Sequence, residues 1–217
     1  MSLKYQIVPV TSFSQNCSIV WCDETMKGVV IDPGGDVKQL AILVKELGVE
    51  VENLLLTHGH LDHVGGTEPL AHELNAKILG PHKDDHFWLQ GLEGQSQMFG
   101  FPLTQAFEPF RWLDEGDDIS FGNQTLKVIH TPGHTPGHIV FYSEESKTAF
   151  VGDVLFNGGI GRTDFPKGDF NTLIDSIKQK LWPLGNDVEF IPGHGPTSTF
   201  GRERASNPFV ADEMPLY

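Results

Sequence analysis

The chain predicts an α/β protein in which sheets pack on each other with helices outside. Three observations point there. Short apolar runs rich in Val, Ile and Phe, bounded by Gly, Pro, Asn and Asp, recur along the whole chain. Segments of helical period lie between them, and the same rhythm runs through both halves. No low-complexity linker divides the 217 residues, so residues 1–217 are expected to form one domain.

The elements follow in order. Tyr5 to Val10, Ser18 to Trp21 and Gly28 to Ile31 read as strands, the last closed by Asp32-Pro33-Gly34-Gly35. Val37 to Leu47 is an amphipathic helix, with Val37, Leu40, Ala41, Val44 and Leu47 on one stripe and Gly48 as its stop. Leu54-Leu55-Leu56 reads as a buried strand, Gly65 to Leu74 as helix, Lys77 to Leu79 as a short strand and Asp84 to Gln90 as a helical piece. From Gly91 to Pro109 glycines, prolines and aromatics dominate without clear periodicity, which reads as a surface loop or flap. Then Thr125 to Ile129, Ile139 to Tyr142 and Thr148 to Val151 read as strands, Asn171 to Lys180 as helix, and Val188 to Ile191 as strand.

Composition narrows the function classes. Hydrophobic content of 39% and charged content of 20% are those of an ordinary globular enzyme. No run approaches the ~18 apolar residues a membrane span needs, and no apolar signal core opens the chain, so a cytoplasmic location is expected. Twenty-nine acidic against 15 basic residues, a formal charge of −14, leave no basic stripe for nucleic acid. A small anionic substrate remains compatible, because bound cations can dominate the field inside a cleft. Cys17 and Cys22 share one strand region at an odd separation, which puts them on opposite faces as small hydrophobes rather than in a disulfide.

The most informative stretch is Thr57-His58-Gly59-His60-Leu61-Asp62-His63, directly after the Leu54–Leu56 strand. Three histidines and an aspartate within six residues at a strand end can converge on one point. Imidazole and carboxylate together suit a transition metal. Three further strands end on a ligand type. His134 follows Pro132-Gly133, Asp153 follows Gly152, and His194 follows Pro192-Gly193. The recurring form is strand, glycine, ligand at one edge of the core, and functional groups gather on such rigid loops.

H-x-H-x-D-H, then Pro-Gly-His, Gly-Asp and Pro-Gly-His resemble the metallo-β-lactamase superfamily in order and spacing across nearly the whole chain. Gly158-Gly159-Ile160-Gly161-Arg162-Thr163-Asp164-Phe165-Pro166 resembles a loop of glyoxalase II-type hydroxyacylglutathione hydrolases. Glu203-Arg204 and Asn207-Pro208 resemble the same group, most closely its short bacterial members. The resemblance implies a four-layer αββα sandwich, the metallo-β-lactamase fold, with a two-metal cleft at the edge of both sheets. It assigns His58, His60 and His134 to one divalent ion and Asp62, His63 and His194 to a second, with Asp153 bridging. Zinc is the leading metal, with iron or manganese as alternatives. A hydroxide between two dications roughly 3.5–4 Å apart would attack a thioester carbonyl, with Asp62 orienting it. The implied reaction is hydrolysis of a small-molecule acyl-thioester, S-lactoylglutathione or a relative, to a 2-hydroxy acid and thiol. Full-length glyoxalase II carries a helical C-terminal domain that supplies much of its glutathione pocket. The 23 residues after His194 leave room for one helix and a tail, so a short type without that domain is expected.

Arg162 is a candidate for a substrate carboxylate through its forked donors, weighed against an Arg162–Asp164 pair that fixes the loop. The glycines before it are no P-loop, since no Gly-Lys-Ser/Thr follows. His72, His82 and His86 read as surface histidines, His130 as a group behind the ligands, and His138 as either packing or cleft lining. Trp88, Phe99, Phe101, Trp112 and Phe156 read as core residues rather than pocket lining, with the alternative that a flap between Gly91 and Pro109 places Phe99 or Phe101 over the cleft. Two rival activities fit the same motifs. One is a mononuclear-iron persulfide dioxygenase using His58, His134 and Asp153; the other is a lactonase-type hydrolase.

Overall fold

The computed structural model describes residues 2–213 and builds two facing sheets. In the first, β1 (Leu3–Val10), β2 (Gln15–Cys22) and β3 (Lys27–Ile31) run antiparallel, and β4 (Glu50–Leu55) and β5 (Lys77–Leu79) continue parallel to β3. The second contains β6 (Asp118–Phe121), β7 (Gln124–His130), β8 (Ile139–Ser143), β9 (Thr148–Gly152), β12 (Glu189–Pro192) and β13 (Ser198–Thr199), ordered β13-β12-β9-β8-β7-β6. Between β9 and β12 the chain makes a small separate hairpin, β10 (Leu155–Phe156) and β11 (Gly159–Ile160).

Period-two alternation explains the layers. Val29, Ile31 and Leu55 point one way and meet Val128, Phe141, Phe150 and Ile191 of the other sheet in the central core. Their chain neighbours Val30 and Leu54 point outward and pack under Leu40 and Val44 of α1 (Val37–Leu47). Beside α1, α3 (Thr67–Leu74) adds Leu70, and α2 (Leu61–Val64) is the single turn before it. On the far side Ile129, Val140, Ala149, Val151 and Phe190 pack under α6 (Phe170–Ser176), its continuation through Leu184, and α7 (Phe200–Ser206). The central strands β3, β8 and β9 are therefore covered on both faces and read as near-continuous apolar runs, whereas β6 and most of β7 alternate buried and exposed residues. The order is helix, sheet, sheet, helix, as the motifs imply.

Two expectations change. Residues 91–109 are not all loop: α4 (His86–Gln90) is followed by α5 (Leu92–Phe99), closed by Gly100 at φ 69°. Its signal is faint because Leu92, Met98 and Phe99, at its two ends, are its few apolar residues. Strand β6 was not anticipated, since only Ile119 and Phe121 face inward there. No helix of the described residues is long and apolar enough to cross a membrane.

Strands β7, β9 and β12 run the same way, because β7 and β9 are each antiparallel to β8 and β12 is parallel to β9. Their carboxyl ends thus reach one edge, where side chains from several strands can meet. The end of β4 arrives from the other sheet. A staple joins the sheets there: Asn16 donates from its backbone N to Gly193 O (2.7 Å) and from Nδ2 to Pro192 O (3.0 Å) and Gly195 O (2.8 Å).

Candidate metal centre

The seven residues singled out in the sequence meet at this edge. His58 Nε2 lies 3.1 Å from His60 Nδ1, and His134 Nε2 lies 3.0 Å from the same atom. Beside them, His194 Nε2 lies 3.1 Å and His63 Nε2 3.8 Å from Asp62 Oδ2. Asp153 stands between the groups, with Oδ1 3.4 Å from His63 Nε2 and Oδ2 3.6 Å from His194 Nε2 and 3.7 Å from His134 Nε2.

Bonds on the outer side of four of the five rings settle which nitrogen holds the proton. His134 Nδ1 donates to Arg162 O at 2.7 Å and His194 Nδ1 to Phe13 O at 3.3 Å. His63 Nδ1 donates to Asp32 Oδ2 at 2.8 Å. Thr57 Oγ1 spends its proton on Asp32 Oδ2 (2.6 Å), so it accepts from His58 Nδ1 (3.0 Å). The outer nitrogen therefore carries the proton in each of these four rings, and the inward nitrogen of His58 and of His134, which burial keeps neutral, is a lone pair. Both lone pairs lie about 3 Å from His60 Nδ1, which has at most one proton to share between them, so the trio fits a cation. Two further facts agree. The buried atoms His63 Nε2 and Asp153 Oδ1 have no hydrogen-bond partner. A Cβ on Gly193 would stand 2.1 Å from Asp153 Oδ1 and 2.6 Å from His63 Cε1, so only glycine keeps this cradle open.

Electrostatics point the same way. Burial holds His58, His60 and His134 below the ordinary histidine range, which keeps them neutral. At Asp153 burial opposes ionisation, but His63, His134 and His194 outweigh it and keep the carboxyl far below its usual range. At Asp62 burial likewise works against the charge and is overcome by His63 and His194. His63 is the converse: burial disfavours its charge, yet Asp153 and Asp62, with Asp32 behind, push it well above the ordinary value. The carboxylates on this side call for positive charge, which a divalent ion supplies.

A shell of fixed acceptors and donors supports the seven. Asp32 takes the Thr57 backbone N–H at 2.7 Å besides its bonds to Thr57 and His63. His138, buried and stacked on His58 at 4.7 Å and 20°, accepts the Asp153 N–H on Nε2 at 3.1 Å; it packs behind the ligands rather than lining the cleft. Asp85, fully buried, accepts from Gly59 N (2.9 Å), Thr135 Oγ1 (2.8 Å) and Gly137 N (2.6 Å), tying the His58–His60 loop to the His134 loop. Gln95 of α5 accepts the Leu61 N–H at 2.9 Å. Asp85 and Gln95 went unread in the sequence, and Asp32 was read only as a turn residue.

Over the centre lies a cleft of about 520 Å³ lined by Phe13, Trp88, Phe99, Phe101, Phe156 and Phe165 besides the ligand-type residues. Trp88, Phe99, Phe101 and Phe156 thus line the cleft and are not buried core residues, and for Phe99 and Phe101 the flap alternative holds. Arg162 also lines the cleft, but its side chain pairs with Asp164 through two bonds of 2.9 and 2.7 Å and covers the Phe165 ring at 4.4 Å. Its backbone carbonyl is what reaches the centre. His82 stacks on His130 away from this cluster, and His86 pairs with Glu108.

Two facing sheets, outer helices and a seven-donor centre at their edge define the class, and this chain belongs to the metallo-beta-lactamase superfamily, whose pattern matches residues 10–194. Among curated relatives it is 48% identical to the hydroxyacylglutathione hydrolase GloC of Haemophilus influenzae, over 96% of this chain and 98% of that one. Among solved structures it is similar to the BLEG-1 B3 metallo-beta-lactamase, with a TM-score of 0.88 and 33% identity over 95% and 99% of the two chains. It is also similar to TTHA1623 in a di-iron-bound form, with a TM-score of 0.86 and 36% identity over 94% and 100%.

Proposed function

We propose that this protein is a metal-dependent hydrolase of acyl-thioesters, acting on S-2-hydroxyacylglutathiones such as S-lactoylglutathione to yield the 2-hydroxy acid and the thiol. The observation that carries this reading is the pair of donor clusters sharing the Asp153 carboxylate beneath an open cleft. Near-full-length similarity to a hydroxyacylglutathione hydrolase supports the choice of substrate.

His58, His60 and His134 would hold one divalent ion and Asp62, His63 and His194 a second, with Asp153 reaching both. Zinc suits this imidazole-rich set best, and iron or manganese is accommodated by the same donors. Bound there, the ions would supply a water acidic enough to attack at neutral pH and would polarise the scissile carbonyl. The chain's own residues do the rest. Asp62, ionised and facing the cleft, orients the water and takes its proton as oxygen adds to the carbonyl carbon. The outer bonds of His58, His63, His134 and His194 keep the donor atoms aimed without rearrangement. When the C–S bond breaks, the thiolate leaves unprotonated, since a thiol of pKa about 8.5 needs no general acid. The buried, unpaired Cys17 and Cys22 suit a reducing compartment, and we assign the enzyme to the cytoplasm.

The test is loss of thioester absorbance when S-lactoylglutathione meets protein loaded with Zn(II), Mn(II) or Fe(II). Rapid loss that a chelator stops is expected. Asp62→Ala and His58→Ala should each lower kcat/KM by roughly a thousandfold or more while circular dichroism stays unchanged. Normal turnover in either variant would refute the two-metal assignment.

A further inference from the structure

Resting on the hydrolase reading, we propose that the cleft holds the thiol half of its thioester by apolar contact with Phe13, Phe99 and Phe101, leaving a peptide thiol's carboxylates in water. Thioesters of uncharged thiols are then substrates of the same rank as the glutathione thioester.

The wall itself is the first observation. Phe13 meets Phe101 edge-on at 4.9 Å and Phe99 at 5.9 Å, yet Phe13 is 44% and Phe99 41% exposed. Exposed rings gathered at a cleft mouth mark a binding surface. They are also held in place before any ligand arrives. Phe13 sits in a tight turn between Thr11 (φ 63°) and Ser14 (φ 52°), closed by Ser14 N to Thr11 O at 3.2 Å and tied to Asp36 through Thr11 N at 2.8 Å. Its carbonyl accepts from His194, so the turn is fixed to the metal centre. Phe101 N bonds Ser96 O at 3.0 Å, anchoring the far side of the wall to α5. Rings held this way lose little freedom on binding.

Charge is the second, independent observation. Glutathione carries two carboxylates. Among the described residues lining the cleft, histidines aside, the one cation is Arg162, and Asp164 already takes two of its donors. The formal charge of −14 adds no long-range attraction for an anion, so any pull on the carboxylates comes from the bound ions, at the scissile end of the cleft rather than at this wall. Selection of glutathione by its charges would need donors that this wall does not offer.

The experiment compares S-lactoylglutathione with S-lactoyl-N-acetylcysteamine, whose thiol is uncharged, on metal-loaded full-length enzyme. We expect kcat/KM values within about tenfold of each other, and a KM for the glutathione ester that is flat between about 25 and 300 mM NaCl. Phe13→Ala and Phe99→Ala should each raise KM for both esters roughly fivefold or more with kcat little changed, the signature of lost uniform binding. A preference for glutathione of about a hundredfold or more, or a KM that climbs with salt and on Arg162→Ala, would overturn the proposal while leaving the hydrolase reading intact. Turnover of neither ester under any metal would bring down the hydrolase reading and this inference with it.

Discussion

Asp85 is the clearest case of a single residue whose work is invisible in the local sequence. It accepts three hydrogen bonds from two ligand-bearing loops, and burial still pushes its carboxyl up to about 6. The sign of its effect on stability follows. Its folded pKa lies above the unfolded value of about 3.9, so the native state holds the proton more tightly, and stability drains away as pH rises from about 4 through 6. The stability lost by pH 7 is at most about 3 kcal/mol. Asn cannot ionise, so Asp85→Asn should look progressively less harmful in urea denaturation as pH rises from about 4 to 7. A stability difference from wild type that stays constant over that range would refute the titration. The same variant sets an amide NH₂ or a single oxygen against three donors, so the two ligand loops lose their common acceptor and metal affinity should fall about tenfold or more.

At the level of elements, α7 supports the loop that bounds the cleft. Glu203, buried at 1% exposure, accepts from Gly158 N (2.8 Å), Asn207 Nδ2 (2.8 Å) and Ser198 Oγ (2.5 Å). Asn207 in turn donates to Gly159 O at 3.1 Å. Through β10 and β11 this holds residues 158–162, whose last carbonyl orients His134. Glu203→Ala strands three donors and should cost about 3 kcal/mol in chemical denaturation. Because β11 leads straight to Arg162, the variant should also lose metal affinity, although no metal-ligand residue has changed. Stability and metal content both at wild-type levels would show that α7 merely covers the sheet. The sequence singled out Glu203 and Asn207 by resemblance alone, and the hydrogen bonds supply the physical reason for them.

For the whole molecule, four buried apolar clusters hold the layers together, and the centre concentrates like groups at their edge. Neutral imidazoles face one another on one side and carboxylates crowd together on the other. A divalent ion binds this folded arrangement and not the open chain, so loading should raise Tm by roughly 5–10 °C at about a hundredfold excess over Kd, and chelation should reverse it. A Tm indifferent to metal would argue against both clusters as metal sites.

How far the sequence could be read depends on whether the signal is local. The His58–His63 motif, the strand–glycine–ligand endings and the two-sided apolar strands are all written within a few residues, because strand period and turn chemistry are local properties. Those features by themselves pointed to packed sheets with helices outside, to the site edge and to seven candidate donors, while the four-layer order came with the family resemblance and α5 and β6 gave little signal. What only the tertiary structure decided is who holds the donors still. Asp85 meets Gly59 across 26 positions and Gly137 across 52, Gln95 meets Leu61 across 34, and Phe13 meets His194 across 181. A hydrogen bond requires an approach of about 3 Å in space and imposes no spacing along the chain. Such partners become visible only once the sheets have closed on each other.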